Sequence, residues 1–289
     1  MNSTTQSKSL PKALPVLLTM LTPATQVSAE ELGSGISLAV QYKQLEMEQK
    51  FSGLSILPNS ASGDLKATLP VLNLQGILFY KNLYTVLKIE QTLADSNVDS
   101  SIPFTTEGTS LSTDVSRDDI SLVLGYNLNI NYSLFMGYTQ GKTELTPEAC
   151  ADITCTNAAS VMLQDGYSGY KQEYEESGFF VGVSLGSTVA SGKLSGSLAY
   201  AFMDGEYSDN YRDQFGPSEF DYEGKSKGVS ASISWTAPLT DNLLYFVDGR
   251  VQHYSMDADD STGQPSFSGS KVSTDESILG LSAGLQWFF

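Results

Sequence analysis

The feature that most constrains this chain is a two-residue alternation of apolar with small or polar side chains. It runs from Gly35 to the C-terminus in segments of about ten residues. Successive side chains of a strand point to opposite faces, so each segment reads as a strand with one apolar face. The first is Gly35–Lys43, with Ile36, Leu38, Val40 and Tyr42 on one side and Ser37, Ala39, Gln41 and Lys43 on the other. The second, Val71–Tyr80, starts after Pro70, which cannot donate to a ladder. The third begins at Leu83 and sets Leu87 and Ile89 against Lys88 and Glu90. Ile120–Leu128 and Tyr132–Tyr138 make a hairpin about Asn129–Asn131. Phe179–Leu185, Leu194–Phe202, Val229–Trp235, Tyr245–Tyr254 and Leu279–Phe289 follow the same rule.

The segments come in pairs. Connections within a pair are short, as at Lys81-Asn82 and Pro238–Asn242, whereas those between pairs are long, polar and acidic. About ten residues is the length at which a tilted strand crosses a bilayer. In lipid such strands must close into a ring, because an open edge leaves backbone groups unpaired. The expected fold is an all-β, antiparallel, up-and-down transmembrane barrel of about ten strands. Eight remain possible if one hairpin is spurious, and twelve if a hairpin hides within Thr143–Glu175. A secreted β-sandwich also shows alternation. Against it, aromatics are sorted by strand end. Tyr80, Tyr126, Tyr132, Trp235, Tyr245, Trp287 and Phe289 fall beside the short turns, and Tyr42, Tyr138, Phe179 and Phe202 at the opposite ends. Two aromatic belts suit two lipid–water interfaces.

No run of 18 apolar residues exists, so no transmembrane helix is expected. Ala13–Leu21, preceded by Lys8 and Lys12 and followed by Val27-Ser28-Ala29, reads as a secretory leader cleaved after residue 29, with a buried helix as the alternative. One barrel domain, 30–289, would remain. Losing the two leader lysines takes the net charge from −17 to −19, which argues against nucleic acid as a partner. Charged residues make up 17% of the chain at a mean hydropathy of −0.13. The polarity therefore comes from Ser, Thr, Asn, Gln and Gly, as in a barrel wall. An exported chain meets an oxidising compartment, so Cys150 and Cys155 are expected to form a disulfide closing a small loop, with free thiols as the alternative.

The stretch Leu279-Gly280-Leu281-Ser282-Ala283-Gly284-Leu285-Gln286-Trp287-Phe288-Phe289 resembles the C-terminal strand of Gram-negative outer-membrane β-barrels. The hairpin Leu124-Gly125-Tyr126 through Leu134-Phe135-Met136-Gly137-Tyr138 is similar to hairpins of small porin-like and opacity-like barrels. The resemblance spans the mature chain as architecture. It implies a place in the outer membrane among its lipid and lipopolysaccharide. It also implies insertion by the barrel assembly machinery, with Leu285, Trp287 and Phe289 as the recognised signal.

Three functions are open. A narrow porin-like pore would be lined by small residues and tuned by the lumen charges Lys43, Lys88, Glu90, Asp248 and Arg250. The same charges could instead plug the lumen, leaving a structural or surface-interaction barrel that acts through acidic external loops. Glu173–Glu176, Asp204–Glu206, Asp209–Asp213 and Asp257–Asp260 are those loops. Divalent cations suit such acidic surfaces. Asp257, Asp259 and Asp260 begin like a calcium loop, but Gly263 comes one place late and no closing Glu follows. The third reading is a rim hydrolase using the one histidine, His253, for which no partner motif stands out. No cofactor is expected.

Overall fold

Ten alternating segments leave ten sets of backbone donors and acceptors that only neighbouring strands can satisfy within lipid. The computed structural model, which describes residues 32–53, 61–101, 110–147, 171–213, 216–260 and 269–289, satisfies them in a single antiparallel sheet. Its strands are β1 (Leu32–Ser52), β2 (Ala61–Tyr80), β3 (Leu83–Thr92), β4 (Ser96–Ser101), β5 (Ser110–Asn127), β6 (Tyr132–Pro147), β7 (Lys171–Val189), β8 (Gly192–Asp213), β9 (Gly216–Pro238), β10 (Leu243–Asp260) and β11 (Lys271–Phe288). β1 pairs with both β2 and β11, which closes the ring. β3 and β4 are halves of one stave. Glu90 faces Asp119 and Ser96 faces Val115, so two extra residues are taken up near Leu93–Asp95, in the manner of a bulge. Ten staves result. A sandwich is ruled out, because the described residues form one closed sheet.

The stagger fixes the barrel's dimensions. Paired residues followed around the wall from Met47 run through Glu276, Tyr254, Gly228, Ala201, Phe180, Gly137, Val123, Val86 and Ile77. They return to β1 at Gly35, twelve residues below Met47. With about 3.3 Å per residue and about 4.8 Å between strands, this stagger tilts the staves by about 40°. The backbone radius is then about 10 Å.

The staves are longer than the alternation of apolar residues suggests. β9 has 23 residues and β8 has 22. At this tilt each residue climbs about 2.5 Å, so these two longest staves stand about 55 Å tall, roughly twice a hydrocarbon band of about 25 Å. The segments expected as acidic loops are therefore wall. Glu173–Glu176 lies in β7, Asp204–Glu206 and Asp209–Asp213 in β8, and Asp257–Asp260 in β10. In β1 the alternation of buried and exposed residues runs without a break from Ile36 to Ser52. The chemistry of both faces changes instead: the outer face goes from Ile, Leu, Val and Tyr to Gln44, Glu46, Glu48 and Lys50, and the inner from Ser37, Gln41 and Lys43 to Leu45, Met47 and Phe51.

That change of chemistry marks the membrane. Exposed apolar residues form a band with Leu32, Tyr80, Leu83, Trp287 and Phe289 near the short-turn end and Tyr42, Ile120, Tyr138, Phe179, Phe202 and Leu279 near the other. Water-soluble surfaces rarely expose so large an apolar area. The predicted belts hold together by ring contacts: Trp235 meets Tyr245 edge-on at 5.3 Å, and Tyr138 meets Phe179 at 5.3 Å. The tight turns take left-handed backbone at Lys81 (φ 55°) and Ala190 (φ 51°). Asn129 caps its turn, its Oδ1 accepting from the backbone N–H of Asn131 at 2.8 Å.

Candidate functional site

Inward-facing side chains of a ring this narrow must meet. The lower lumen is filled by aromatic rings laid over glycines on the neighbouring stave. Phe135 covers Gly182 and Phe180 covers Gly137, each pair being directly opposed. Phe135 and Phe180 also touch edge-on at 6.2 Å, and Ile77, Phe79, Tyr84, Val86 and Val123 complete this layer.

Above it lies a buried ionic layer. Of the five lumen charges expected from alternation, Lys43, Glu90 and Lys88 come together. Lys43 Nζ, 1% exposed, donates to Glu90 Oε2 at 2.8 Å and to Asp119 Oδ2 at 2.5 Å. Lys88 pairs with the other Glu90 oxygen, which also accepts from Asn73 Nδ2 at 3.1 Å. Asp248 accepts from Ser282 on the adjoining stave. Arg250 makes no ion pair among the described residues. With Lys88, Asp248, Gln75 and Ser121 it lines a lumen cavity of about 80 Å³, room for a few waters.

Four network members were not anticipated: Arg117, Asp119, Glu176 and Glu276. Arg117 of β5 reaches across the lumen to Glu276 of β11, and bonds Asp119 at 3.1 Å and Thr143 Oγ1 at 2.9 Å. Glu276 is 0% and Glu176 2% exposed. Glu176 Oε1 accepts from Tyr174 OH at 2.6 Å and from Ser226. These residues lie above the membrane belt, where the chain was expected to be loop. Extending the phase of Gly280 and Ser282 upward to Glu276, or that of Phe180 and Gly178 back to Glu176, would have placed both inside.

An apolar cap closes the network from above. Leu45, Leu69, Val115 and Met256 are fully buried, and the cluster draws side chains from every stave, Val98 of β4 included. Near its top Phe51 stacks edge-on against Tyr207 at 5.6 Å and Tyr222 at 5.9 Å.

The outer face of the tall wall carries the remaining candidates. His253 points outward just above the belt, as the alternation predicts. Its Nδ1 lies 3.0 Å from Ser277 Oγ, and no carboxylate bonds it among the described residues. Asp257 and Asp259 also face outward on a strand, and Asp259 pairs with Lys271 at 2.7 Å. Among the described residues no group of three metal-ligating side chains occurs, and residues 261–268, which would complete a calcium loop, lie outside them. The side chain of Asp260, the Cys150–Cys155 pair and the leader lie outside the described residues. Leu285, Trp287 and Phe289 face outward at 48%, 54% and 76% exposure, and β11 is zipped to β1 through Leu38–Leu285 and Ile36–Trp287.

Four outward carboxylates stand directly opposite one another on consecutive staves: Glu175, Glu206, Glu223 and Asp259. Partial burial first, then Asp221, Glu175 and Glu223, raise the pKa of Glu206. Like charges in facing positions are destabilising. Glu206→Gln is expected to stabilise the barrel by about 0.2–1 kcal/mol, measured as a higher urea midpoint near neutral pH. An unchanged or lower midpoint would refute the repulsion.

No family model matches the sequence, and no curated protein does. Among solved structures, the outer-membrane protease OmpT from Escherichia coli superposes with a TM-score of 0.59 at 14% identity, over 91% of this chain and 98% of that one. OprG from Pseudomonas aeruginosa gives 0.36 at 11% identity, over 87% and 95%. Neisserial surface protein A gives 0.34 at 9%, over 88% and 96%. The likeness to OmpT shows a shared fold alone: this chain has the closed, ten-stave architecture of Gram-negative outer-membrane barrels.

Proposed function

We propose that this chain is a non-conducting outer-membrane barrel that presents its tall anionic wall to partners at the cell surface. The observation that carries this reading is the filled lumen: the ion pair from Arg117 on β5 to Glu276 on β11 crosses it beneath an apolar cap built from every stave. A conducting barrel needs a continuous file of water. The cavity beside Arg250 supplies room for a few waters, and fully buried Leu45, Val115 and Met256 interrupt the path above it. In this reading the short turns lie in the periplasm, lipid and lipopolysaccharide surround the apolar band, and β11 is the strand that the assembly machinery reads.

Two experiments test the reading. Liposomes loaded with the refolded protein are expected not to swell in small sugars or amino acids; swelling at rates proportional to protein content would return the narrow-pore reading. For the surface role, cells displaying the protein are compared with cells displaying Glu175, Glu206 and Glu223 exchanged for glutamine. Adhesion or aggregation is expected to differ at equal surface levels. Identical behaviour in every adhesion assay would count against a role for the anionic wall.

A further inference from the structure

The buried network is not electrically balanced. Lys43, Lys88, Arg117 and Arg250 face Glu90, Asp119, Glu176, Asp248 and Glu276 in the lumen. Five carboxylates oppose four cations, and the shortfall is local. Glu90 is held by two lysines, and Asp119 by Lys43 and Arg117. Among the described residues Arg117 is the one cation bonded to Glu276, which Thr143 Oγ1 also approaches at 3.5 Å, while the partners of Glu176 are the hydroxyls of Tyr174 and Ser226. One oxygen of each carboxylate is used and the other is orphaned: Oε2 of Glu176 and Oε2 of Glu276 are buried without a partner among the described residues. A buried ionised carboxylate with an unsatisfied oxygen is costly, and neutralising one of two such groups removes most of that cost.

We propose that Glu176 and Glu276 hold one proton between them, and that its release to solvent loosens the closure of the upper lumen. The surroundings favour the protonated state of such a pair. Tyr174 donates to Glu176 from the same strand, β7, and the buried Tyr254 stands opposite Glu276 on β10. Asp119 adds negative charge from β5, whereas Arg117 on β5 and Lys43 on β1 oppose it. Glu90 and Lys88 on β3 pair with each other one layer below. Burial, then the neighbouring carboxylates against the pull of Arg117, pushes Glu276 up to about 7, and burial also raises Glu176. A carboxyl whose folded pKa is raised stabilises the fold fully below its unfolded pKa of about 4.3, and that stabilisation is lost as pH climbs through the folded value. The barrel is therefore expected to resist unfolding better near pH 5 than near pH 8 on account of this pair, opposite to the trend set by ordinary salt-bridged carboxylates.

Infrared spectroscopy of the refolded full chain reads the proton directly, whether or not the barrel conducts. A carboxylic-acid C=O band is expected at about pH 6, well above where free glutamates ionise. It should disappear as pH is raised to about 9. Glu276→Gln and Glu176→Gln are each expected to remove the band and flatten the pH dependence of the urea midpoint between about pH 5 and about pH 8. Absence of the band in the wild-type protein at about pH 6 overturns the proposal, as does a band that survives in both variants. If the variants fail to fold, the wild-type titration decides alone. Swelling liposomes with an intact band would sink only the non-conducting reading; a missing band in non-swelling protein would sink only this one.

Discussion

Replacing Arg117 with methionine is expected to destabilise the barrel by about 3–5 kcal/mol, the cost of breaking a buried pair from one side. Arg117 is 4% exposed and bonds Asp119, Thr143 and Glu276 from three different staves. Methionine fills much of the volume but leaves those acceptors facing an apolar side chain. The readouts are the urea midpoint and the temperature at which the folded band is lost on unheated-to-heated gels. Adding Glu276→Gln to Arg117→Met is expected to recover part of the loss, because one orphaned carboxylate disappears. Lys142 supplies the contrast. It sits on the outer wall, pairing with Glu144 at 3.0 Å and Glu173 at 2.9 Å in a partly exposed ladder. Lys142→Met is expected to cost no more than about 1 kcal/mol. Equal effects from the inner and outer cations would contradict the assigned burial of the network.

The second large effect belongs to the aromatic floor. Phe135→Ala is expected to cost about 3–5 kcal/mol. Phe135 is 5% exposed, lies over Gly182 and braces Phe180. The staves hold their backbones apart, so a hole there cannot collapse. The complementary change, Gly182→Val, would drive a side chain into the same ring and is expected to cost about 1–3 kcal/mol by overpacking. Both losses are read as shifts in urea midpoint. If Phe135→Ala left the midpoint unchanged, the floor would not be packed as described.

Much of the architecture is legible in the alternation of residues. About ten staves and the phase of each follow from period two, and both belts from where the aromatics fall along it, because lipid demands an apolar outer face and backbone closure; the pairing of β1 with both β2 and β11 fixes the count at ten. What escaped was the height of the wall. Above Tyr42 the outer face turns polar while Leu45, Met47 and Phe51 stay apolar and buried. Inner and outer chemistry thus exchange places at the belt, and a reader tracking one apolar face sees the strand end there. For the same reason Lys43, Lys88, Glu90, Asp248 and Arg250 were placed inside, being within the lipid-facing segments. Glu176 was grouped with exposed loop acids although it shares a stave face with Gly178 and Phe180. Which cation meets which carboxylate could not be read from one strand at a time, because Arg117 and Glu276 meet only through the twelve-residue stagger of the closed ring.

Closure of the lumen is the central claim, and single-channel recording tests it most directly. Correctly refolded protein, inserted in a planar bilayer near neutral pH, is expected to give no conductance steps above baseline, while Arg117→Met, if it inserts, gives brief openings. Regular, long-lived steps from the wild-type barrel under the same conditions would contradict the account.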